Sequence, residues 1–197
     1  GAVVGKAAVD VNSIVRKKME GKGDYSGLSG HIVVFGWRGD RTRDMLENMF
    51  ADSSEARDVV LCSSGVEEHP LRELADRVHF VRGENLLGED VVRRAGVATA
   101  SCVLVDGHSD DQALAVGVAC TNAMREADGR LVAYFSERRY ADMLEGLNPS
   151  AEAVVAVSGD LLVRALQDRG SSKLAGRLLA SDDGATQYSM VVPTGAP

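Results

Sequence analysis

The residues best placed to do chemistry lie in one stretch, Gly36-Trp37-Arg38-Gly39-Asp40-Arg41-Thr42. It follows the apolar run Ile32-Val33-Val34-Phe35 and precedes a helical stripe of Met45, Leu46, Met49 and Phe50. It therefore reads as a strand-to-helix turn. The N–H groups that open a helix lack intrahelical partners and suit an anion, and Arg38 and Arg41 add positive charge. A dinucleotide-binding turn reads G-x-G-x-x-G. Here Gly36 and Gly39 are present with Trp37 and Arg38 between them, so the turn reads either as a phosphate site or as a degenerate structural turn. Its candidate ligand-binding residues are Gly36, Trp37, Arg38, Gly39, Arg41 and Thr42. The next apolar run, Val59 to Cys62, ends in Ser63-Ser64-Gly65. A carboxylate that accepts from the ribose hydroxyls of NAD belongs near this point. Its absence weakens the NAD reading and leaves Ser63 and Ser64 as candidates to face a phosphate.

A second constellation follows the run Cys102 to Val105. Asp106, His108 and Asp110 alternate along the chain, and Glu137 follows the run Leu131 to Phe135. Carboxylate oxygens suit calcium or magnesium, so Asp106, Asp110 and Glu137 are candidate cation ligands. The competing reading makes Ser109 or Asp110 the cap of the next helix. His31, His69 and His79 show no ligand spacing, and no nucleophile stands beside a base, so hydride-transfer chemistry has no candidate residues. The motifs leave the ligand open among a nucleotide, a divalent cation and none at all, the domain then serving only as scaffold.

These residues need a frame to hold them. Apolar runs start at Ile32, Val59, Val78, Cys102, Leu131 and Ala153. Each is short, rich in β-branched residues and apolar on both faces, as strands covered on both sides should be. Helical stripes lie between them: Tyr140, Met143, Leu144 and Leu147 form one, and Leu114, Val116, Val118, Cys120 and Met124 mark a helix apolar around most of its circumference. Alternating strands and helices predict an α/β fold with a doubly wound, parallel, six-stranded sheet. Beyond the sixth run, Ser158 can cap a helix carrying Leu161, Leu162, Ala165 and Leu166, Gly170 breaks it, and a second helix carries Leu174, Leu178 and Leu179. These leucines either fold back on the sheet or form a dimerisation arm, and the arm is the favoured expectation.

The 197 residues carry a formal net charge of −7, which argues against a nucleic-acid partner. The charge is uneven: residues 1–30 hold five basic and three acidic residues, and the stretch from Gly21 to Gly30 reads as a Gly/Ser-rich linker. The cysteines Cys62, Cys102 and Cys120 sit in apolar runs and read as buried reduced thiols. No apolar stretch is long enough to span a membrane.

From about Tyr25 to Pro193 the chain resembles the RCK domain, the regulator of potassium conductance, which is related to the TrkA-N domains of potassium-uptake regulators. The matching segments are Gly30 to Trp37, Val105-Asp106 with Ser109-Asp110, Glu137 to Tyr140, and Val157 to Leu162. The resemblance implies a Rossmann-like lobe over 31–157 followed by crossover helices over 158–181 that form the dimer interface. Residues 182–197 would begin a truncated C-terminal lobe, and the basic segment 1–30 would lead from an inner pore helix. It further implies a non-catalytic gating-ring domain on the cytoplasmic face of the membrane, a homodimer or ring of eight, with the pore domain of its own subunit as partner. A peripheral regulatory subunit of a potassium transporter is the alternative, and an NAD(P)-dependent oxidoreductase the more distant one. The chain departs from the family in its incomplete glycine pattern. It departs again at Tyr134 and Ser136, which stand where calcium-gated members carry carboxylates.

Overall fold

The computed structural model describes residues 12–52, 57–124, 128–156, 158–168, 170 and 173–175. Leu178, Leu179 and the stretch 182–197 lie outside the described residues. In chain order the elements are α1 (12–19), β1 (Ile32–Phe35), α2 (Asp40–Asp52), β2 (Val59–Ser63), β3 (Val78–Arg82) and α3 (Glu89–Arg94). Then come β4 (Cys102–Val105), α4 (Asp110–Ala123), β5 (Arg130–Phe135), α5 (Arg138–Leu147), β6 (Glu152–Val155) and α6 (Ser158–Gln167). No described helix is long and apolar enough to cross a membrane.

All six strands pair in parallel, in the order β3-β2-β1-β4-β5-β6. The expected sheet is therefore present, with its switch point between β1 and β4, where a ligand crevice forms in this class. Side chains alternate across a strand, so Val33 and Phe35 share one face with Val60, Cys62, Val103, Val105, Ala133 and Phe135. That face is sealed by α3, α4 and α5 through Val91, Ala113, Val116, Cys120, Ala141 and Leu144. The opposite face buries Val34, Val59, Leu61, Val78 and Phe80 completely or nearly so.

Three expectations change. The sixth run is an edge strand with only partial cover: it spans Glu152–Val155, and Val154 is 44% exposed. The β2–β3 connection carries only a 3-10 turn, Arg72–Leu74, in place of a helix. On α5 the stripe is narrower than its pattern, since Ala141 and Leu144 are buried while Met143 and Leu147 are exposed. Cys62 and Cys120 are buried and Cys102 half-buried, all three as free thiols. Burial pushes the Cys120 thiol up to about 12.

The stretch from Gly21 to Gly30 is bonded throughout and is no free tether. Lys22 forms an antiparallel bridge with Val81 on the edge strand. Arg82 N donates to Gly21 O at 2.9 Å, and Tyr25 N to Arg94 O at 2.7 Å. Thr99 Oγ1 donates to Leu28 O at 2.7 Å and Ser101 Oγ to Gly30 O at 2.8 Å. Hydrogen bonds from Ser26 and then Arg93 hold the Asp24 carboxyl well below the usual carboxylate range. The glycines mark turns, as their composition suggests, but backbone bonds fix the segment against the fold.

The chain divides into two compact units: Gly1–Asp44 with Glu55–Ala156, and Met45–Ser54 with Val157–Pro197. Within the second, α6 exposes Leu162 (68%), Val163 and Leu166 (87%), and Leu174 beyond it is exposed too. Leu161 is half-buried and Ala165 exposed.

Candidate functional site

The tip of β1 lies beside the tip of β4 at the switch point. Gly36 N donates to Cys62 O at 2.9 Å and Asp106 N donates to Phe35 O at 2.8 Å, so both ladders run on into the loops. Gly36 has φ +110°, and a Cβ there would stand 2.0 Å from Asp106 O. Only glycine allows the two loops this close. Gly39 has φ +64° with open space around it, and it starts α2 by accepting from Thr42 N and Arg43 N at 3.1 Å each. Thr42 is buried, and its Oγ1 accepts from Arg38 N at 2.8 Å. Trp37 is half-buried.

Both arginines of the turn reach across to the β4 tip. Arg38 Nη1 donates to Gly107 O at 3.0 Å. Arg41 Nε donates to Asp106 Oδ2 at 2.9 Å, and its guanidinium lies 4.1 Å from the centre of the Tyr134 ring on β5. The Asp106 side chain is 5% exposed and that of Arg41 48%. Asp106 Oδ1 is buried and has no hydrogen-bond partner, so the carboxylate depends on Arg41 for charge compensation. The sequence gives no local sign of the Arg41–Asp106–Tyr134 contact. It exists because β1, β4 and β5 are neighbours in the sheet.

The acidic candidates do not converge. Asp110 sits in the first turn of α4, and its carboxylate accepts from Ser136 N at 2.9 Å and Glu137 N at 2.8 Å, holding the turn that leads into α5. Glu137 pairs with Arg139 at 2.9 Å. Among the described residues no three His, Cys, Asp or Glu side chains could hold a metal ion together. The alternating spacing of Asp106 and Asp110 misleads because the chain enters a helix between them. Ser109 takes the cap of α4, its Oγ accepting from Gln112 N at 3.3 Å. Ser63 is buried and accepts from Gly65 N through its Oγ at 3.3 Å, while Ser64 is half-buried.

No family model matches the sequence, and no curated protein is detectably similar to it. Solved structures share its architecture. The TrkA-N domain of the inner membrane protein ybaL from Escherichia coli superposes with a TM-score of 0.55 at 14% identity, over 71% of this chain and 96% of that one. The GsuK structure bound to ADP gives 0.57 at 16% identity, over 77% of this chain. This is the fold of TrkA-N and RCK domains. The NAD(P)-binding domain of an exopolyphosphatase-related protein from Archaeoglobus fulgidus shares it too, at a TM-score of 0.52 and 17% identity, over 74% of this chain and 98% of that one. The chain spans 26% of the length of a GsuK RCK domain structure and 41% of the ADP-bound GsuK chain. At these identities the likeness concerns the RCK-type fold alone.

Proposed function

We propose that this chain is a non-catalytic regulatory domain of a potassium channel. It senses an anionic small molecule at the β1–α2 turn and passes the change on through assembly with its own kind. The observation that carries the reading is the pair of arginines, Arg38 and Arg41, spanning the switch-point crevice beside a glycine turn. The fold supports it, since GsuK, a channel whose RCK domain shares this architecture, is seen bound to ADP. A peripheral regulatory domain of a transporter would use the same site.

Thermal unfolding against ADP, ATP, AMP, NAD, NADH, calcium and magnesium tests the ligand. We expect a shift with an adenine nucleotide, worth about 2.7 kcal/mol at a hundred times the dissociation constant. Arg41→Gln should weaken that binding about tenfold, roughly 1.4 kcal/mol. No shift with any nucleotide, or an equal shift in Arg38→Gln and Arg41→Gln, would remove the turn from the reading. A shift with NADH accompanied by turnover would favour the oxidoreductase instead.

Assembly is tested at α6. The exposed Leu162 and Leu166 form part of the proposed homodimer surface, with Leu161, Ala165, Leu174, Leu178 and Leu179. Sedimentation should find a dimer or larger ring in the parent chain and a monomer in Leu162→Glu/Leu166→Glu, with unchanged unfolding of the sheet. A parent monomer at high concentration would refute the assembly step. The membrane pore partner and the cytoplasmic location belong to the same proposal.

A further inference from the structure

Three histidines are wholly or largely buried, and their surroundings differ. His69 has both ring nitrogens committed: Nε2 lies 2.6 Å from Val78 O, to which it must donate, and Nδ1 accepts from Leu71 N at 3.1 Å. That fixes the tautomer. His31 Nε2 lies 2.9 Å from Ala95 O, and its Nδ1 is buried without a partner. His79, on the edge strand β3, is placed otherwise. Its ring stacks on Tyr25 at 4.6 Å with 13° between the planes, and Nε2 is 3.5 Å from Asp58 Oδ1. It also lines a cavity of about 170 Å³. The other walls are Val15, Lys18 and Met19 of α1, with Tyr25, His69, Ala75 and Val78.

We infer that His79 is a proton-responsive seat for α1, holding the helix when neutral and loosening it when protonated. Residues 12–18 of α1 are all exposed. Met19 O accepts from His69 N at 2.8 Å, while Ile14 and Val15 remain about half exposed. Such an element opens at small cost. Every element around the ring contributes a titratable or charged group. Lys18 comes from α1, Asp58 from the segment before β2, His69 from the segment after β2, and Tyr25 from the stretch before β1. A charge on His79 is repelled by Lys18 and attracted by Asp58, whose side chain is 46% exposed and so compensates weakly. Burial first, then Lys18, hold the ring below its ordinary value of 6.5 against the pull of Asp58.

The sign follows from linkage. The folded ring binds fewer protons than the free one, so its contribution is complete above the ordinary value and is lost as pH falls below it. Neutral His79 keeps the flat stack on Tyr25. The protonated ring turns its charge toward Asp58 and away from the cavity wall that α1 supplies. The inference does not depend on what binds at the strand tips.

Nuclear magnetic resonance of the full chain from pH 8 to pH 5 tests it. The amides of residues 15–23 should shift with an inflection that coincides with the His79 imidazole titration and lies below 6.5. His79→Gln should abolish that inflection while the sheet resonances stay in place. Lys18→Gln should move it upward by removing the repulsion. Amides of α1 that stay constant while His79 titrates would overturn the inference. So would an inflection that survives in His79→Gln, or one that does not rise in Lys18→Gln.

Discussion

Gly36→Ala should be among the most damaging single substitutions in the sheet, costing about 4 kcal/mol. Two independent costs make up that figure. The backbone at φ +110° is a conformation that an L side chain rarely adopts, and holding one there costs roughly 1–3 kcal/mol. The new Cβ also meets Asp106 O at 2.0 Å and Asp106 C at 2.8 Å. Those are backbone atoms of the neighbouring loop, so no rotamer change relieves the clash, and the loops must part at a further cost of roughly 1–3 kcal/mol. Gly39→Ala is the internal control. It carries φ +64° but meets nothing within 4 Å, so it should cost only about 1–2 kcal/mol. Urea unfolding of the two variants measures the difference. Equal losses would mean that the approach of the β1 and β4 tips is not tight. The functional consequence is also checkable. Parting the tips breaks the Asp106 N to Phe35 O bond and displaces the carboxylate that holds Arg41, so Gly36→Ala should lose nucleotide binding along with stability.

What was legible in the sequence, and what was not, divides along physical lines. The sheet was legible because burial on both faces demands uninterrupted apolar, β-branched runs. The runs beginning at Ile32, Val59, Val78 and Cys102 became β1 to β4 with little change. The last run misled because Val154 and Val155 have the composition of a central strand yet lie at the edge of the sheet formed by the described residues. The strand-tip turn was legible from Gly36 and Gly39. What the arginines do there was not. Arg41 finds Asp106 65 residues away only because β4 lies beside β1. Spacing along the chain grouped Asp106 with Asp110, whereas the fold assigned one to an arginine and the other to the backbone of the β5–α5 turn. Local patterns thus predict elements well, and they predict partners only where the partner is also local.

The stretch before β1 makes the same point with the larger consequence. Glycines and serines read as a linker, yet Arg94, at the end of α3, clamps the stretch. Arg94 Nη1 donates to Gly21 O at 2.9 Å and Gly23 O at 3.2 Å, and Nη2 donates to Arg82 O at 2.7 Å. Asp90 pairs with Nε at 2.7 Å, and the Arg94 side chain is only 14% exposed. Hydrogen bonds from a charged donor contribute roughly 1.5–3 kcal/mol each. Gly21 O keeps its bond from Arg82 N, and loosened carbonyls can regain water. Arg94→Ala should therefore cost about 3 kcal/mol rather than the full sum. Arg94→Lys should recover no more than about a third of this, because a compact ammonium cannot span three carbonyls as a planar guanidinium does. Arg93→Ala supplies the comparison. Arg93 also pairs with acidic residues, Asp24 and Asp90, but its side chain is 57% exposed, and surface pairs of this kind add little to stability. Urea unfolding, with amide exchange followed over residues 21–30, separates the cases. Arg94→Ala should raise exchange across that stretch well before the sheet opens, whereas Arg93→Ala should leave it protected. Equal behaviour of the two variants would show that the clamp is not what fixes the segment. If the clamp holds, α1 is joined to the edge strand by a braced connection, and a displacement at β3 reaches α1 instead of dissipating in slack chain.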